Sequence, residues 1–403
     1  MNPLKKIFNL ISQVLLGNVV SSLIFAVFFI LAAREASPRE LGIFCTSYAI
    51  ALFIADLADF GTGTLAVTRA QSRSPICTQE VIRGYATGRF YIFVIFGILT
   101  TPISIFSGNE LMCFLIILTS FLQSIKILLL TEQRALRKYS HFSLTLILER
   151  LFSLIILISL GELTAEKLML AVLLSNFLII LVYRWKPDFF YDVRKLKKEY
   201  LAARHLGLSS IASDLALLDV PILTFIASAA VSAEYAIALR ISTPVLIVGS
   251  VLGTILVREL GEDIVDRRIL RLMIVKICLI TTLGLVFVEF LLIWKTQLIV
   301  KLFAGSQYFG INFLVILVSI ASCIAVLKGL ISSVLQVRGN FKFLGIWTTL
   351  TGGLYLFIIF VSAGKTGASS LPIASIISSI IFMVASLVIL KKSIYPQHVK
   401  REV

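Results

Sequence analysis

Ten ionisable side chains lie well inside apolar stretches of this chain: Asp56, Asp59, Lys126, Glu149, Arg150, Asp214, Asp219, Arg240, Glu289 and Lys328. A charge at the centre of a bilayer costs about 2.5 to 3.5 kcal/mol, so turning all ten to lipid would cost on the order of 25 kcal/mol or more. Most of them must therefore face one another or a wet cavity. Among them the cations Lys126, Arg150, Arg240 and Lys328 suit an anionic ligand, because Arg forks onto phosphate oxygens and Lys supplies a point charge. The alternative is local: Arg150 pairs with a carboxylate, and Lys126 and Lys328 snorkel to the headgroups. The acids suit a proton or sodium relay, or else ion pairs that hold the molecule together. Asp56 and Asp59, three apart on one helix face, are placed to share a proton or to have one member paired with a cation. Asp214 and Asp219 lie about 140° apart on an unbroken helix. They face one point only if that helix breaks near Pro221.

These residues have to be positioned by membrane-spanning helices. Twelve apolar runs of spanning length are predicted, roughly 10–33, 42–66, 87–106, 110–131, 143–160, 165–184, 205–228, 234–257, 271–294, 311–335, 343–362 and 367–391. In hydrocarbon only a helix or a closed barrel satisfies its own backbone, and about 20 apolar residues are needed per helix. The runs are solid rather than alternating, which excludes a barrel. The fold class is an all-α polytopic membrane protein of about twelve helices.

Composition agrees. The chain of 403 residues is 58% hydrophobic and 15% charged, against about 45 to 50% apolar and 25% charged for soluble domains. Its net charge of +15 could neutralise phosphates, but the basic residues fall between the spans, where the positive-inside rule places them, and nucleic acid is not expected. With both termini on the cytoplasmic side, 26 of the 37 Lys and Arg residues fall on inner segments and 6 on outer loops. That bias sets the orientation. Trp185 and Trp294, near helix ends, fit aromatic belts. The basic start and apolar run to Ala33 lack a cleavage pattern and read as a retained first helix.

The longest charged connection divides the chain into an N-terminal six-helix lobe (1–184), a cytoplasmic linker (185–204), a C-terminal six-helix lobe (205–391) and a cytoplasmic tail (392–403). The halves look related: Leu41-Gly42-Ile43-Phe44 opens span 2 as Ala233-Glu234-Tyr235-Ala236 opens span 8, and Lys126 aligns with Lys328 when Arg137 is set against Arg338. Six spans per copy give both copies the same orientation, so the pseudo-two-fold axis runs along the membrane normal. Parallel repeats of this kind are a transporter signature. Gly61, Gly63 and the Gly249-xxx-Gly253 pair suit close helix packing or local bending.

Catalytic and cofactor chemistry find no footing. His141, His205 and His398 lack ligand spacing, and Cys45, Cys77, Cys113, Cys278 and Cys323 are scattered without a CxxC pair, so no metal is expected. There is no GxxxxGK[ST] loop, so no ATP is expected. Coupling to H⁺ or Na⁺ stays open.

Several stretches resemble polysaccharide and O-antigen flippases of the multidrug/oligosaccharidyl-lipid/polysaccharide exporter superfamily. They are Leu302-Phe303-Ala304-Gly305 with Tyr308, Gln336-Val337-Arg338-Gly339-Asn340, and Gly364-Lys365-Thr366-Gly367-Ala368 opening the last helix. To these add Leu41-Gly42-Ile43-Phe44 with Ala58-Asp59-Phe60-Gly61 and Thr68-Arg69, and the stretch AEYAIALR from Ala233 to Arg240. The resemblance implies two six-helix lobes around a cationic central cavity, with Arg69 and Arg240 as the matched basic positions. It implies transfer of an undecaprenyl-pyrophosphate-linked oligosaccharide, an O-antigen or capsule repeat unit, to the periplasmic leaflet of a bacterial inner membrane by alternating access. Membrane lipid and other polysaccharide-assembly proteins would be its partners. Two alternatives stay open: an ion-coupled multidrug or small-molecule exporter of the same superfamily, which would favour an acidic cavity, and a membrane glycan polymerase, which would carry long outer loops.

Overall fold

The computed structural model describes residues 3–70, 74–107, 109–259, 267–337 and 340–394. The Arg338–Gly339 pair, the middle of the connection between spans 8 and 9, and residues 395–403 of the expected tail lie outside them. Fourteen α-helices are described: α1 (Pro3–Glu35), α2 (Pro38–Asp59), α3 (Thr62–Arg69), α4 (Pro75–Ser107), α5 (Glu110–Ala135), α6 (Tyr139–Ser159), α7 (Ala165–Val182), α8 (Val193–Asp214), α9 (Asp219–Ile226), α10 (Ala229–Glu259), α11 (Arg267–Ala304), α12 (Asn312–Val337), α13 (Phe341–Thr366) and α14 (Ser370–Ile394). Twelve spans are long and apolar enough to cross a membrane, and no strand occurs among the described residues.

Two spans are broken where the sequence reading has one helix, and two others are displaced, span 3 starting at Pro75 and span 9 running on to Ala304. Span 2 is not one helix to residue 66: α2 stops at Asp59, and Phe60 and Gly61 take φ of 45° and 71° before α3 begins. The left-handed pair turns the chain, and Gly61 is required there twice over, since a Cβ would lie 2.7 Å from the Gly207 nitrogen. Span 7 starts twelve residues earlier than expected, at Val193, and is broken by a 3₁₀ turn over Leu215–Leu218. The break precedes Pro221 rather than centring on it, because Pro221 sits in the first turn of α9, where its missing N–H costs nothing.

Helix pairing shows the repeat. In the first half α1 packs on α6, α2 on α5, α4 on α5, α5 on α7 and α6 on α7; in the second, α8 packs on α13, α10 on α12, α11 on α12, α12 on α14 and α13 on α14. Each of these five pairings of the N-terminal lobe has its counterpart in the C-terminal lobe.

An even number of crossings puts both termini at one end, here called the basic end. At the opposite, far end one apolar core runs through both lobes, from Phe28, Phe44 and Met169 to Ile237, Val300, Val315 and Leu371. Toward the basic end the main cores are separate, one around Ile82, Tyr85 and Leu128 and another around Leu335, Leu344 and Phe382, and only a small cluster of Leu65, Ala203 and Leu206 joins α3 to α8 there. The far-end union is tight. A Cβ on Gly42 would lie 1.8 Å from the Ala229 carbonyl oxygen, Thr46 and Thr224 hydroxyls meet at 2.5 Å, Arg34 donates to the Leu302 carbonyl at 2.6 Å, and Gln307 donates to the Ala33 carbonyl.

Glu132, near the end of α5, fastens the basic end of the N-terminal lobe. It accepts from Arg83 Nε at 3.1 Å and Nη2 at 3.2 Å, from Gln79 Nε2 at 3.1 Å and from Trp185 Nε1 at 2.8 Å. Trp185 is therefore a buried clamp and not a belt residue, whereas Trp294 is exposed on α11. The segment after Trp185 is also held, since Thr87 donates to the Asp188 carbonyl at 2.9 Å and accepts from the Tyr191 N–H at 3.0 Å. Replacing Glu132 by Ala leaves these donors without their acceptor, a loss of about 1 to 3 kcal/mol for a buried polar group. The thermal midpoint in detergent should fall for Glu132→Ala, and fall less for Glu132→Gln, which keeps one acceptor oxygen.

Candidate functional site

The cationic cluster is built where α1, α2, α5, α6 and α10 converge. Lys126 on α5 and Glu149 on α6 are both almost completely buried, and Lys126 Nζ lies 2.7 Å from Glu149 Oε1 and donates to Gln123 Oε1 at 2.7 Å. Arg150, the next residue on α6, lies 3.6 Å from the same carboxylate oxygen and donates to the Tyr48 hydroxyl at 3.4 Å. Its guanidinium carbon sits 3.7 Å from the centre of the Phe25 ring. Arg240 of α10 reaches the same ring from the other lobe, at 4.8 Å, and the Phe29 ring at 4.4 Å. Phe25, Phe28 and Phe29 follow helical spacing on α1, which puts this aromatic stripe on one face.

Three cations thus gather here, and one carboxylate touches two of them. Lys126 and Arg150 both use Glu149, while Arg240 has no carboxylate within 4 Å and no side-chain hydrogen bond among the described residues. Arg150 is 11 residues from the start of α6 at the basic end, and Arg240 is 11 residues from the start of α10 at the far end, which places each about 16 Å from its own end and so near mid-depth. Lys126 does not snorkel, since its side chain is only 3% exposed.

The remaining cations lie elsewhere. Lys328 is on α12 with Nζ 5.4 Å from the Phe382 ring of α14, inside the C-terminal lobe. Arg69 ends α3 at the basic end, where Nη1 lies 2.9 Å from Glu199 Oε2 on α8.

The acids take four different roles. Asp59 is bound by Arg89, which is wholly buried on α4 and also donates to the Ser124 carbonyl; Asp59 further accepts from the Gly63 N–H at 3.3 Å. Of the two arrangements open to Asp56 and Asp59, the structure has the one in which a single member, Asp59, pairs with a cation. Asp56 instead faces the other lobe. The α2 helix runs antiparallel to span 7, with Thr46 against Thr224 and Gly61 against Gly207, a register that sets Asp56 opposite Asp214. The charges of Asp59, Asp214, Arg89 and Lys126 all act on Asp56, and Asp214 accepts from the Ser210 hydroxyl at 3.1 Å. Asp219, beyond the 3₁₀ break, is buried and accepts from the Tyr235 hydroxyl at 2.7 Å and from the Tyr355 hydroxyl. Glu289 on α11 accepts from Ser319, with Cys323 Sγ at 3.7 Å and its Oε1 without a hydrogen-bond partner among the described residues.

Arg89, Phe25, Phe29 and Tyr48 escaped the sequence reading. Arg89 sits in GYATGRFYIF, a lone cation among aromatic residues, and its distance from Pro75 was the available signal. The phenylalanines gave none beyond their spacing, since Phe in a span is ordinarily core.

No family model and no curated protein matches the sequence. Solved structures do share its fold. The MATE multidrug transporter DinF-BH, in a ligand complex, aligns with a TM-score of 0.71 at 14% identity, covering 97% of this chain and 96% of that one. A MOP superfamily transporter from Pyrococcus furiosus, described as having a binding pocket of reverse polarity that suggests a different function, aligns at 0.67 and 15% identity, covering 98% of each chain. MATE in complex with MaL6 aligns at 0.65 and 16%, covering 97% of each. The chain therefore has the two-lobed, twelve-helix fold of these transporters.

Because Glu149 is the one acid serving Lys126 and Arg150 among the described residues, Glu149→Gln should destabilise the protein more than any single change at either cation. Breaking a buried pair from one side costs about 3 to 5 kcal/mol, and removing the second charge restores much of it. The double variant Glu149→Gln/Lys126→Met should accordingly melt above Glu149→Gln alone in detergent.

Proposed function

We propose that this chain is a membrane transporter in which two six-helix lobes give alternating access to a cationic site at their seam. Its substrate is an anionic amphiphile, the undecaprenyl-pyrophosphate-linked oligosaccharide of O-antigen or capsule assembly. The basic end faces the cytoplasm and the substrate leaves on the periplasmic side. One observation carries this reading: Arg150 of one lobe and Arg240 of the other converge on Phe25, with Glu149 within 4 Å of Lys126 and Arg150 but no carboxylate within 4 Å of Arg240 among the described residues. A surplus of desolvated positive charge between moving bodies suits a pyrophosphate, whose water it replaces with fixed N–H donors. The far-end clasp at Gly42, Thr46 and Arg34 supports a conformer closed to the periplasm.

A second reading, an ion-coupled exporter of drugs or small molecules, has its own support. Asp56 stands opposite Asp214 across the seam, and Asp219 has tyrosines rather than a cation for partners. Fold neighbours include a MATE multidrug transporter, which favours this side, while the neighbour described as having a reverse-polarity pocket points to more than one pocket charge within the fold.

Binding separates the two. Purified protein in nanodiscs should bind farnesyl pyrophosphate, a short polyprenyl pyrophosphate, and Arg240→Gln should weaken that binding by about tenfold or more, the loss of a charge-assisted contact worth about 1.5 to 3 kcal/mol. Binding of a cationic rhodamine dye, with none of farnesyl pyrophosphate, would establish the exporter reading instead.

A further inference from the structure

A buried guanidinium is ordinarily neutralised by a carboxylate, and that pairing occupies its N–H donors. Arg89 follows this pattern at its two terminal nitrogens, Nη1 donating to the Ser124 carbonyl and Nη2 to Asp59. Arg240 does not. Its guanidinium lies 4.8 Å from the centre of Phe25 and 4.4 Å from that of Phe29, two rings that are 6% and 1% exposed and therefore fixed by packing. The electron-rich face of a ring attracts a cation without accepting hydrogen bonds in the plane of the guanidinium. Arg has five N–H donors in a rigid fork, and stacking on a ring leaves them free to meet an anion. Around it Phe25 packs edge-on to Phe29 at 5.1 Å and to Tyr48 at 6.3 Å, and Tyr48 accepts from Arg150, which also lies on Phe25.

From this arrangement we infer that Phe25 and Phe29 are positioning residues that substitute for a counter-ion at Arg240, holding the cation at the lobe seam while keeping its N–H fork open for an anionic substrate. The inference rests on the anionic-substrate reading and deepens it. It says that affinity depends on the electron density of two rings that never touch the anion. A carboxylate in their place would hold Arg240 as firmly but would close the site. Rings also set Arg240 in place before the anion arrives, which lowers the ordering cost of binding.

Stepwise fluorination of Phe25 and of Phe29 tests this, since fluorine drains the ring face with little change of size. Affinity of the full-length protein in nanodiscs for farnesyl pyrophosphate should fall progressively from one to three fluorines, by roughly 3- to 10-fold in all for a contact of this kind, with an unchanged melting midpoint. Phe25→Leu should weaken binding at least as much, and Phe29→Tyr should preserve it. Arg240→Gln serves as the reference. Should Arg240→Gln abolish binding while the fluorinated and leucine variants bind as wild type, the ring inference falls and the anionic-substrate reading stands. Should Arg240→Gln bind as wild type, or wild type fail to bind, that reading falls and the inference with it. An equal loss for uncharged farnesol would also overturn the inference, by making Phe25 part of an apolar tail site.

Discussion

Every cation inside this apolar shell needs compensation, and the kind of partner each one finds divides the molecule into what is fixed and what is open. Arg89 is locked to Asp59, Arg83 to Glu132, and Lys126 to Glu149. These pairs tie α2 to α4, α4 to α5 and α5 to α6, so the N-terminal lobe behaves as one unit. A pair of buried charges is poor at adding stability over an apolar core but severe when halved, which makes it suited to fixing register between helices. Arg240 alone of the seam cations has aromatic rings and no acid among its described neighbours. The difference gives the site its charge.

The lobes meet through packing of a different character. Gly42 against the Ala229 carbonyl and the Thr46–Thr224 contact bring α2 to within backbone distance of α9 and α10, in the way small residues permit close approach where lipid supplies no hydrophobic drive. The ion pair between Arg69 and Glu199 joins α3 to α8 at the basic end. A far-end seam of small residues, hydroxyls and an exposed arginine can part without stranding a buried charge, whereas the Arg89 and Lys126 pairs could not. The large shared core of the far end and the mostly divided cores of the basic end, bridged there by Leu65, Ala203 and Leu206, fit one conformer of the proposed alternating-access cycle.

How much of this the sequence disclosed follows from the physics of each signal. Twelve apolar runs and their charge bias announce themselves because the bilayer demands length and solvation from every span. The breaks in spans 2 and 7 were signalled by Gly61, Gly63 and Pro221, but their places were not, since Phe60 carries no preference for a left-handed backbone and the 3₁₀ turn over Leu215–Leu218 has an ordinary apolar sequence. Charged positions were visible one by one, but partners were not: Asp59 goes to Arg89, thirty residues away, and Asp56 faces Asp214 across the seam. Arg150 and Arg240 lie ninety residues apart and meet only because α1 passes between them. Trp185 shows the reverse error, a belt residue by position that folding turns inward to Glu132.

The proposed transport requires the two lobes to part at the far end while each stays intact. Spin labels at Glu162, between α6 and α7, and Thr366, at the end of α13, report on it directly, for both are exposed at the far end and belong to different lobes. In liposomes the distance distribution should hold two populations, with the longer one changing weight when farnesyl pyrophosphate or a cationic rhodamine dye is added. A single unchanging distance, with and without either ligand, would contradict the account.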